Sequence, residues 1–184
     1  MVTRGRRVWL GGGILLGALA SAAWSSRAWA VERRADRVGR PNRQQLVDRL
    51  IAAGEVEVNG APPEETATYF DTERFRFHGP DGFETDYEGL QAYFKSIRDA
   101  FEERTIRRGI IIVEGNQVAC QTWIEGRFVR EFTMSPAGPL PPNGQRVKWD
   151  LSNIFSFDDR ARLTEEWVRT DYRSFLRQLG VEGR

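Results

Sequence analysis

The chain has 184 residues and a formal net charge of +1, and 40% of its residues are hydrophobic. A single domain of this length buries roughly two-thirds of the surface that its unfolded chain exposes, so it needs no disulfide or metal to fold. Cys120 is the only cysteine and His78 the only histidine. An internal disulfide is therefore excluded, and neither a metal site nor a cofactor is expected.

The first 30 residues differ in composition from the rest of the chain. They hold four arginines and no acid, residues 8–24 are apolar and small, and residues 28–30 read Ala-Trp-Ala. This order predicts a signal peptide over residues 1–30 and export to the periplasm or the medium. Arg6-Arg7 also resembles a twin-arginine signal, and both export routes stay open. A membrane anchor formed by uncleaved residues 8–24 is less favoured, because that run is at the lower edge of bilayer-spanning length.

Residues 31–42 are charged and have no sustained apolar face, which is typical of a linker. A domain is predicted over residues 43–180. Once residues 1–30 are removed, acids outnumber bases by 26 to 23, because four of the 27 basic residues lie in that segment. This mildly acidic chain offers no phosphate-binding face, so nucleic acid is not an expected partner.

Two helices are predicted at the start of this domain. Asn42 can cap the first helix, and Gly54 can end it. Between them the apolar residues recur at helical spacing, at Leu46, Val47, Leu50 and Ile51. Residues 64–70 form a short second helix, because Pro63 is tolerated in a first turn.

A strand and the clearest helix follow. Residues 75–78 alternate as a strand that ends before Gly79-Pro80. Residues 87–101 carry one apolar stripe, which predicts an amphipathic helix. The stripe consists of Leu90, Tyr93, Phe94, Ile97 and Phe101.

The second half of the chain reads as antiparallel strands. Gly115-Asn116 separates two strand-like runs, residues 105–114 and 117–126, which predicts a hairpin. Residues 127–134 can extend the second strand, and a Pro/Gly-rich loop covers residues 135–144. Two more strands, at 145–157 and 162–169, precede a short helix that runs from Tyr172 to Gly180. Helices followed by a run of strands indicate the α+β class.

Three short segments carry a resemblance to a known family. They are Gly89-Leu90-x-x-Tyr93-Phe94, Glu165-x-Trp167-x-x-x-Asp171, and Phe-Leu-Arg-Gln-Leu-Gly at residues 175–180. With the element order, they resemble the SnoaL-like polyketide cyclase family, within the nuclear transport factor 2-like fold, over about residues 43–180. The resemblance implies a cone-shaped, strongly curved antiparallel sheet with N-terminal helices packed on it and a small apolar ligand inside.

The resemblance also implies a chemistry. Cyclases of this family close a ring by an aldol-type condensation, in which a carboxylate removes the acidic proton between two carbonyl groups. By position, Asp171 matches the family's acid/base aspartate, and a homodimer formed through the sheet is implied as well. Two features depart from the family: the loop at residues 135–144 is long, and Asn153 stands where many members carry a charged residue or histidine.

Strand alternation indicates which residues surround the expected cavity. Trp149, Asn153 and Phe155 share one face of the strand at residues 145–157. On the next strand Glu165 and Trp167 share a face, and Asp171 continues that parity. The predicted cavity lining is Trp123, Trp149, Phe155, Glu165 and Trp167, with Asp171 as the base and His78 and Asn153 as secondary polar groups.

Each candidate also has a structural interpretation. A tryptophan on a covered sheet is most often core, Asp171 stands where aspartate is a favoured helix N-cap, and a lone histidine such as His78 is often structural. Two functions therefore stay open. One is an exported, cofactor-free acid/base enzyme, a cyclase, isomerase or lyase that acts on a small apolar carbonyl compound. The other is a non-catalytic module that binds a small hydrophobic ligand.

Overall fold

The computed structural model describes residues 40–181 of the chain. The predicted signal peptide, residues 1–30, and the linker up to residue 39 lie outside the described residues. Within the described part, no helix combines the length and the apolar character that crossing a bilayer requires.

Helix α1 spans Arg43–Asn59 and is longer than the sequence predicts. Asn42 caps its start: the Asn42 side chain accepts a hydrogen bond from the Gln45 amide, and the Gln45 side chain accepts one from the Asn42 amide. Gly54 does not end this helix, because it lies buried within it. The helix ends instead at Gly60, whose φ of 89° favours glycine.

Short elements lead from α1 to the long central helix. Helix α2 spans Pro63–Ala67, strand β1 spans Arg76–His78, and strand β2 spans Glu84–Thr85. Helix α3 spans Tyr87–Ala100, close to its predicted range, and Asp86 caps its start. The apolar stripe of α3 turns inward, which is why Leu90 and Ile97 are buried.

Four long strands build most of the sheet. They are β3 at Phe101–Glu114, β4 at Gln117–Phe128, β5 at Arg146–Phe157 and β6 at Leu163–Thr170. The predicted hairpin at Gly115 is confirmed, since β3 and β4 pair on either side of that turn. Residues 129–134 do not extend β4, and Phe132 instead bridges to Leu140 across the Pro-rich loop. Helix α4, at Tyr172–Gln178, follows β6.

The six strands form one sheet in the order β2-β1-β6-β5-β4-β3. All neighbouring strands are antiparallel except β1 and β6, which run parallel. The pairing of β3 with β4 is interrupted twice, and such bulges bend a strand and increase its twist. The sheet is curved and does not close, and helices pack on one face, which is called the inner face below. The predicted α+β class is therefore confirmed.

The core consists of two clusters of buried side chains. The first packs α1 against one end of the sheet and includes Leu46, Leu50, Phe70, Phe155 and Phe157. The second lies around the helix α3 C-terminus and includes Phe101, Phe128, Phe132, Trp149 and Phe175. Side chains from both clusters reach the wall of one cavity.

Candidate functional site

A cavity of about 620 Å³ lies between helix α3 and the inner face of the sheet. Helix α3 contributes Leu90, Tyr93, Phe94 and Ile97 to its wall. Strands β4, β5 and β6 contribute Ile124, Trp149, Leu151, Glu166 and Val168. The volume lies within the range of roughly 300–1,000 Å³ that small-molecule sites occupy, and such walls are mostly apolar with a few polar groups.

Two loops form the mouth of the cavity. One is the segment Pro80–Gly82 with Phe83, and the other is the start of the Pro-rich loop, from Met134 to Pro136. Phe83 is 48% exposed and Met134 is 41% exposed. The start of the Pro-rich loop therefore lies at the exposed end of the cavity.

Glu166 is the buried carboxyl group of this wall. It stands on β6, it is 8% exposed, and Asn153 on the neighbouring strand donates a hydrogen bond of 2.8 Å from Nδ2 to Glu166 Oε1. Burial raises the pKa of Glu166 to about 7, while the charge of Arg108 and the Asn153 hydrogen bond act in the opposite direction. A carboxyl group with this pKa can both accept and return a proton near neutral pH.

A second buried acid, Glu57, comes from helix α1. Glu57 is 5% exposed and accepts a hydrogen bond of 3.2 Å from Gln91 Nε2 on α3. Burial and the charge of Glu166 raise the pKa of Glu57 well above its ordinary value, and Arg108 opposes this rise. Glu166 stands in the cavity wall, whereas Glu57 and Arg108 do not line the cavity. The low polarity of this interior disfavours charging both carboxyl groups at once.

Two phenol groups are among the hydrogen-bond donors in the cavity wall. Tyr93 on α3 and Tyr172 at the start of α4 both line the cavity. Burial raises the pKa of both phenols, so they stay protonated at neutral pH. A protonated phenol can donate a hydrogen bond to a carbonyl or enolate oxygen.

Three predicted site residues lie on the inner face of β5, as strand alternation predicts. Trp149 lines the cavity, Asn153 holds Glu166, and Phe155 is buried in the core next to them. Phe155 does not reach the cavity, because it packs in the cluster below α1. The structure thus brings Trp149 and Asn153 together with an acid that the sequence analysis did not nominate.

Three other predicted lining residues, Trp123, Glu165 and Trp167, lie instead on the outer face of the sheet, away from the cavity. Trp123 packs against Gly109 and lies 5.3 Å under the ammonium group of Lys148. Glu165 and Trp167 face outward because they pair with Ser156 and Ile154, which alternate with the inward-facing Phe155, whereas Glu166 pairs with Phe155 and faces inward. The register shifts only beyond Glu165, where Phe157 pairs with Leu163. Because of this extra residue, Leu163 faces inward although Glu165, two residues later, faces outward.

Asp171 and His78 are not part of the cavity wall. Asp171 is exposed, and its side chain accepts a hydrogen bond of 3.0 Å from the Ser174 amide as the N-cap of α4. The His78 ring stacks on Trp167 at 5.1 Å on the outer face, and its Nδ1 lies 3.2 Å from Glu84. The geometry therefore matches the structural interpretation of both residues.

Sequence reasoning missed Glu166, Glu57 and Arg108. The adjacent pair Glu165-Glu166 was visible, but the choice between its members depends on a bulge that has no local sequence signal. Glu57 lies beyond the point where Gly54 was expected to end α1. Among the described residues, no group of three His, Cys, Asp or Glu side chains is arranged to hold a metal ion.

The fold is shared with many solved structures. AclR from Streptomyces galilaeus, described as a candidate hydroxylase, is 17% identical with a TM-score of 0.63, over 76% of this chain and 83% of that chain. TsrD from Streptomyces laurentii is 22% identical with a TM-score of 0.62, over 76% and 98%. IdmH from Streptomyces antibioticus, described as a candidate polyketide cyclase, is 23% identical with a TM-score of 0.59, over 74% and 99%. At these identities the similarity shows the fold alone.

The sequence comparisons identify a family but no individual relative. The family model described as SnoaL-like polyketide cyclase matches residues 52–179, which include the cavity wall and both buried acids. No curated protein sequence matches the chain.

Proposed function

The chain belongs to the SnoaL-like polyketide cyclase family, and we propose that it is a cofactor-free acid/base enzyme of the cyclase or isomerase type with Glu166 as its base. The single observation that carries the proposal is a buried carboxyl group, with a pKa of about 7, in the wall of an apolar cavity. The substrate that fits such a cavity is a small apolar compound with an acidic C–H group beside a carbonyl.

The first step is proton abstraction. The ionised carboxylate of Glu166 removes the proton, the C–H bond breaks, and its electron pair forms an enolate while an O–H bond forms on Glu166. Asn153 holds the carboxylate in place, and the phenol of Tyr93 or Tyr172 donates a hydrogen bond to the enolate oxygen. The apolar wall excludes water, which strengthens these interactions.

The second step returns the proton. In a cyclase, the enolate carbon attacks a second carbonyl group of the same molecule, a C–C bond forms, and protonated Glu166 donates its proton to the new alkoxide. In an isomerase, Glu166 returns the proton to a different carbon of the same enolate. In both cases the carboxylate is regenerated, so no co-reactant is consumed.

Deuterium uptake tests this function before the natural substrate is known. Small apolar β-dicarbonyl compounds are incubated with the protein in D2O, and exchange of the acidic C–H is followed by NMR. We expect Glu166→Gln to lose the catalysed exchange, because a neutral amide cannot accept the proton. Glu165→Gln is the matched control, since Glu165 is the adjacent residue on the opposite face of β6. Equal exchange rates in both variants would refute Glu166 as the base.

The same experiment tests the second function, a module that binds a hydrophobic ligand without turnover. The mostly apolar wall of the cavity favours this alternative. A fluorescent apolar probe that binds the wild-type protein, combined with no deuterium uptake from any dicarbonyl compound, would support it.

We also propose that the protein is exported after removal of residues 1–30. The basic, apolar and small segments in that order support the proposal. Expression in a bacterial host followed by N-terminal sequencing of the periplasmic fraction should give Val31 as the first residue. Met1 retained in a membrane fraction would instead support an anchor.

A further inference from the structure

Gly54 occupies an unusual position in the middle of helix α1. Glycine is unfavourable in a helix interior, and Gly54 does not have the positive φ that would require glycine. A Cβ atom at this position would lie 2.7 Å from Nη2 of Arg108 and 2.9 Å from Cδ1 of Ile106. The missing side chain therefore leaves a notch in α1 that the Arg108 guanidinium occupies.

Arg108 is held in this notch by polar and aromatic contacts from the sheet. Its Nη1 donates a hydrogen bond to Thr122 Oγ1, and Cys120 Sγ lies 3.9 Å from the same nitrogen. The guanidinium carbon lies 5.3 Å from the centre of the Phe155 ring. These contacts fix the position of the positive charge inside the protein.

Among the described residues, Arg108 forms no direct ion pair with either buried acid, and Arg108 Nε has no hydrogen-bond partner. The Phe155 ring that Arg108 contacts belongs to the residue directly across from Glu166 in the β5–β6 pairing, so the guanidinium stands close to that carboxyl group. In agreement with this placement, the charge of Arg108 lowers the pKa of Glu166 and of Glu57 against the effect of burial. In a poorly polar interior the field of such a charge acts over several ångströms.

Several titratable groups share this interior. Glu57 enters from α1, Tyr87 and Arg98 from α3, Cys120 from β4, and Glu166 from β6. Arg98 donates a hydrogen bond to the Glu57 carbonyl oxygen, so its charge lies beside Glu57. Of these described groups, Arg108 is the cation whose charge opposes the rise in the pKa of Glu166.

We propose that Arg108, seated in the notch at Gly54, is a positioning residue that stabilises the ionised carboxylate of Glu166. This inference rests on the proposed function, because ionised Glu166 is the form that accepts a proton. Without the guanidinium, burial would keep Glu166 protonated at neutral pH and leave the cavity without a base. Gly54 contributes by leaving the space for the guanidinium.

Direct titration of Glu166 separates this inference from the proposed enzyme activity. The protein is labelled with ¹³C at glutamate carboxyl carbons, Glu166 is assigned by comparison with Glu166→Gln, and its titration midpoint is measured by NMR. We expect Arg108→Gln to raise the midpoint by about one pH unit, and Gly54→Ala to raise it by a smaller amount. Arg107→Gln is the matched control, because Arg107 is adjacent on β3 but pairs with Glu125 on the outer face.

The outcomes are distinct. A higher midpoint in Arg108→Gln and an unchanged one in Arg107→Gln support the inference, even if no substrate is ever turned over. A midpoint that stays the same in Arg108→Gln overturns it. If Arg108→Gln fails to fold, Gly54→Ala decides, because alanine favours the helix while it displaces the guanidinium. Where turnover is found, the acidic limb of the rate profile should move to higher pH in parallel.

Discussion

The buried carboxyl group of Glu166 should make the protein less stable as the pH rises. Its pKa is about 7 in the folded protein and 4.5 in a free side chain. Between these values the folded protein keeps the proton that the unfolded chain has already released, so the free energy of unfolding falls with increasing pH. At about 1.4 kcal/mol per pH unit, the full effect is about 3 kcal/mol, and it is complete above pH 7.

Glu166→Gln removes this dependence, because glutamine does not titrate and preserves the shape of the side chain. The free energy of unfolding of the variant minus that of the wild-type protein should therefore be about 3 kcal/mol larger at pH 8 than at pH 4.5. Glu57 titrates in both proteins, and the loss of the Glu166 charge also lowers the pKa of Glu57, which acts in the same direction.

Urea denaturation across this pH range measures the effect. The quantity to follow is the difference in the free energy of unfolding between variant and wild type, because contributions that do not change with pH cancel from its slope. Glu165→Gln serves as the control, since Glu165 lies on the outer face and is partly exposed. Parallel stability curves for Glu166→Gln and the wild type would refute the raised pKa, and with it the choice of Glu166 as the base.

Three further predictions follow from the placement of individual side chains. Asp171→Asn should retain both the stability and any deuterium exchange, because asparagine caps a helix about as well as aspartate. Asp171→Ala should lower the free energy of unfolding, measured by urea denaturation, by about 1 kcal/mol, because the cap of α4 is lost. Lost exchange in a folded Asp171→Asn variant would contradict a purely capping role. Leu151→Trp should fill part of the cavity and raise the Kd of an apolar fluorescent probe by about tenfold or more. Circular dichroism should show that the variant keeps its fold. An unchanged affinity would contradict the assigned cavity. His78→Ala should keep full exchange activity, because His78 contacts Trp167 on the outer face. Its free energy of unfolding should fall by no more than about 1 kcal/mol. Loss of exchange would place His78 in the mechanism.

Local signals predicted the helices well, because a cap or an apolar stripe depends on residues a few positions apart. Asn42 and Asp171 carry out the capping that their sequence context indicates. The stripe on α3 is buried as the helical spacing predicts. Gly54 shows the limit of such signals: its local context indicates a helix end, but a distant residue, Arg108, accounts for the glycine.

Sequence alternation predicted which face of a strand points to the core only in strands without a bulge and with inward-pointing aromatic residues. On β5, alternation correctly placed Trp149 and Asn153 on the inner face. On β4, Trp123 turns outward because it alternates with the buried residues Thr122 and Ile124. On that outer face Gly109 and Lys148 contact the ring, so an aromatic residue was a poor guide to the core. On β6, one extra residue reversed the parity between Leu163 and Glu166.

The sequence by itself determined the α+β class, the family and most helix and strand positions, because these depend on local periodicity and short motifs. Only the tertiary structure decided which carboxyl group faces the cavity. That choice depends on how β6 pairs with β5 and on which groups α1 and β3 bring against Glu166 from about 110 and 60 residues away along the chain. A pKa follows from the burial and charges that surround a group in space, and residues so far apart in sequence meet only after the sheet has curved around its cavity.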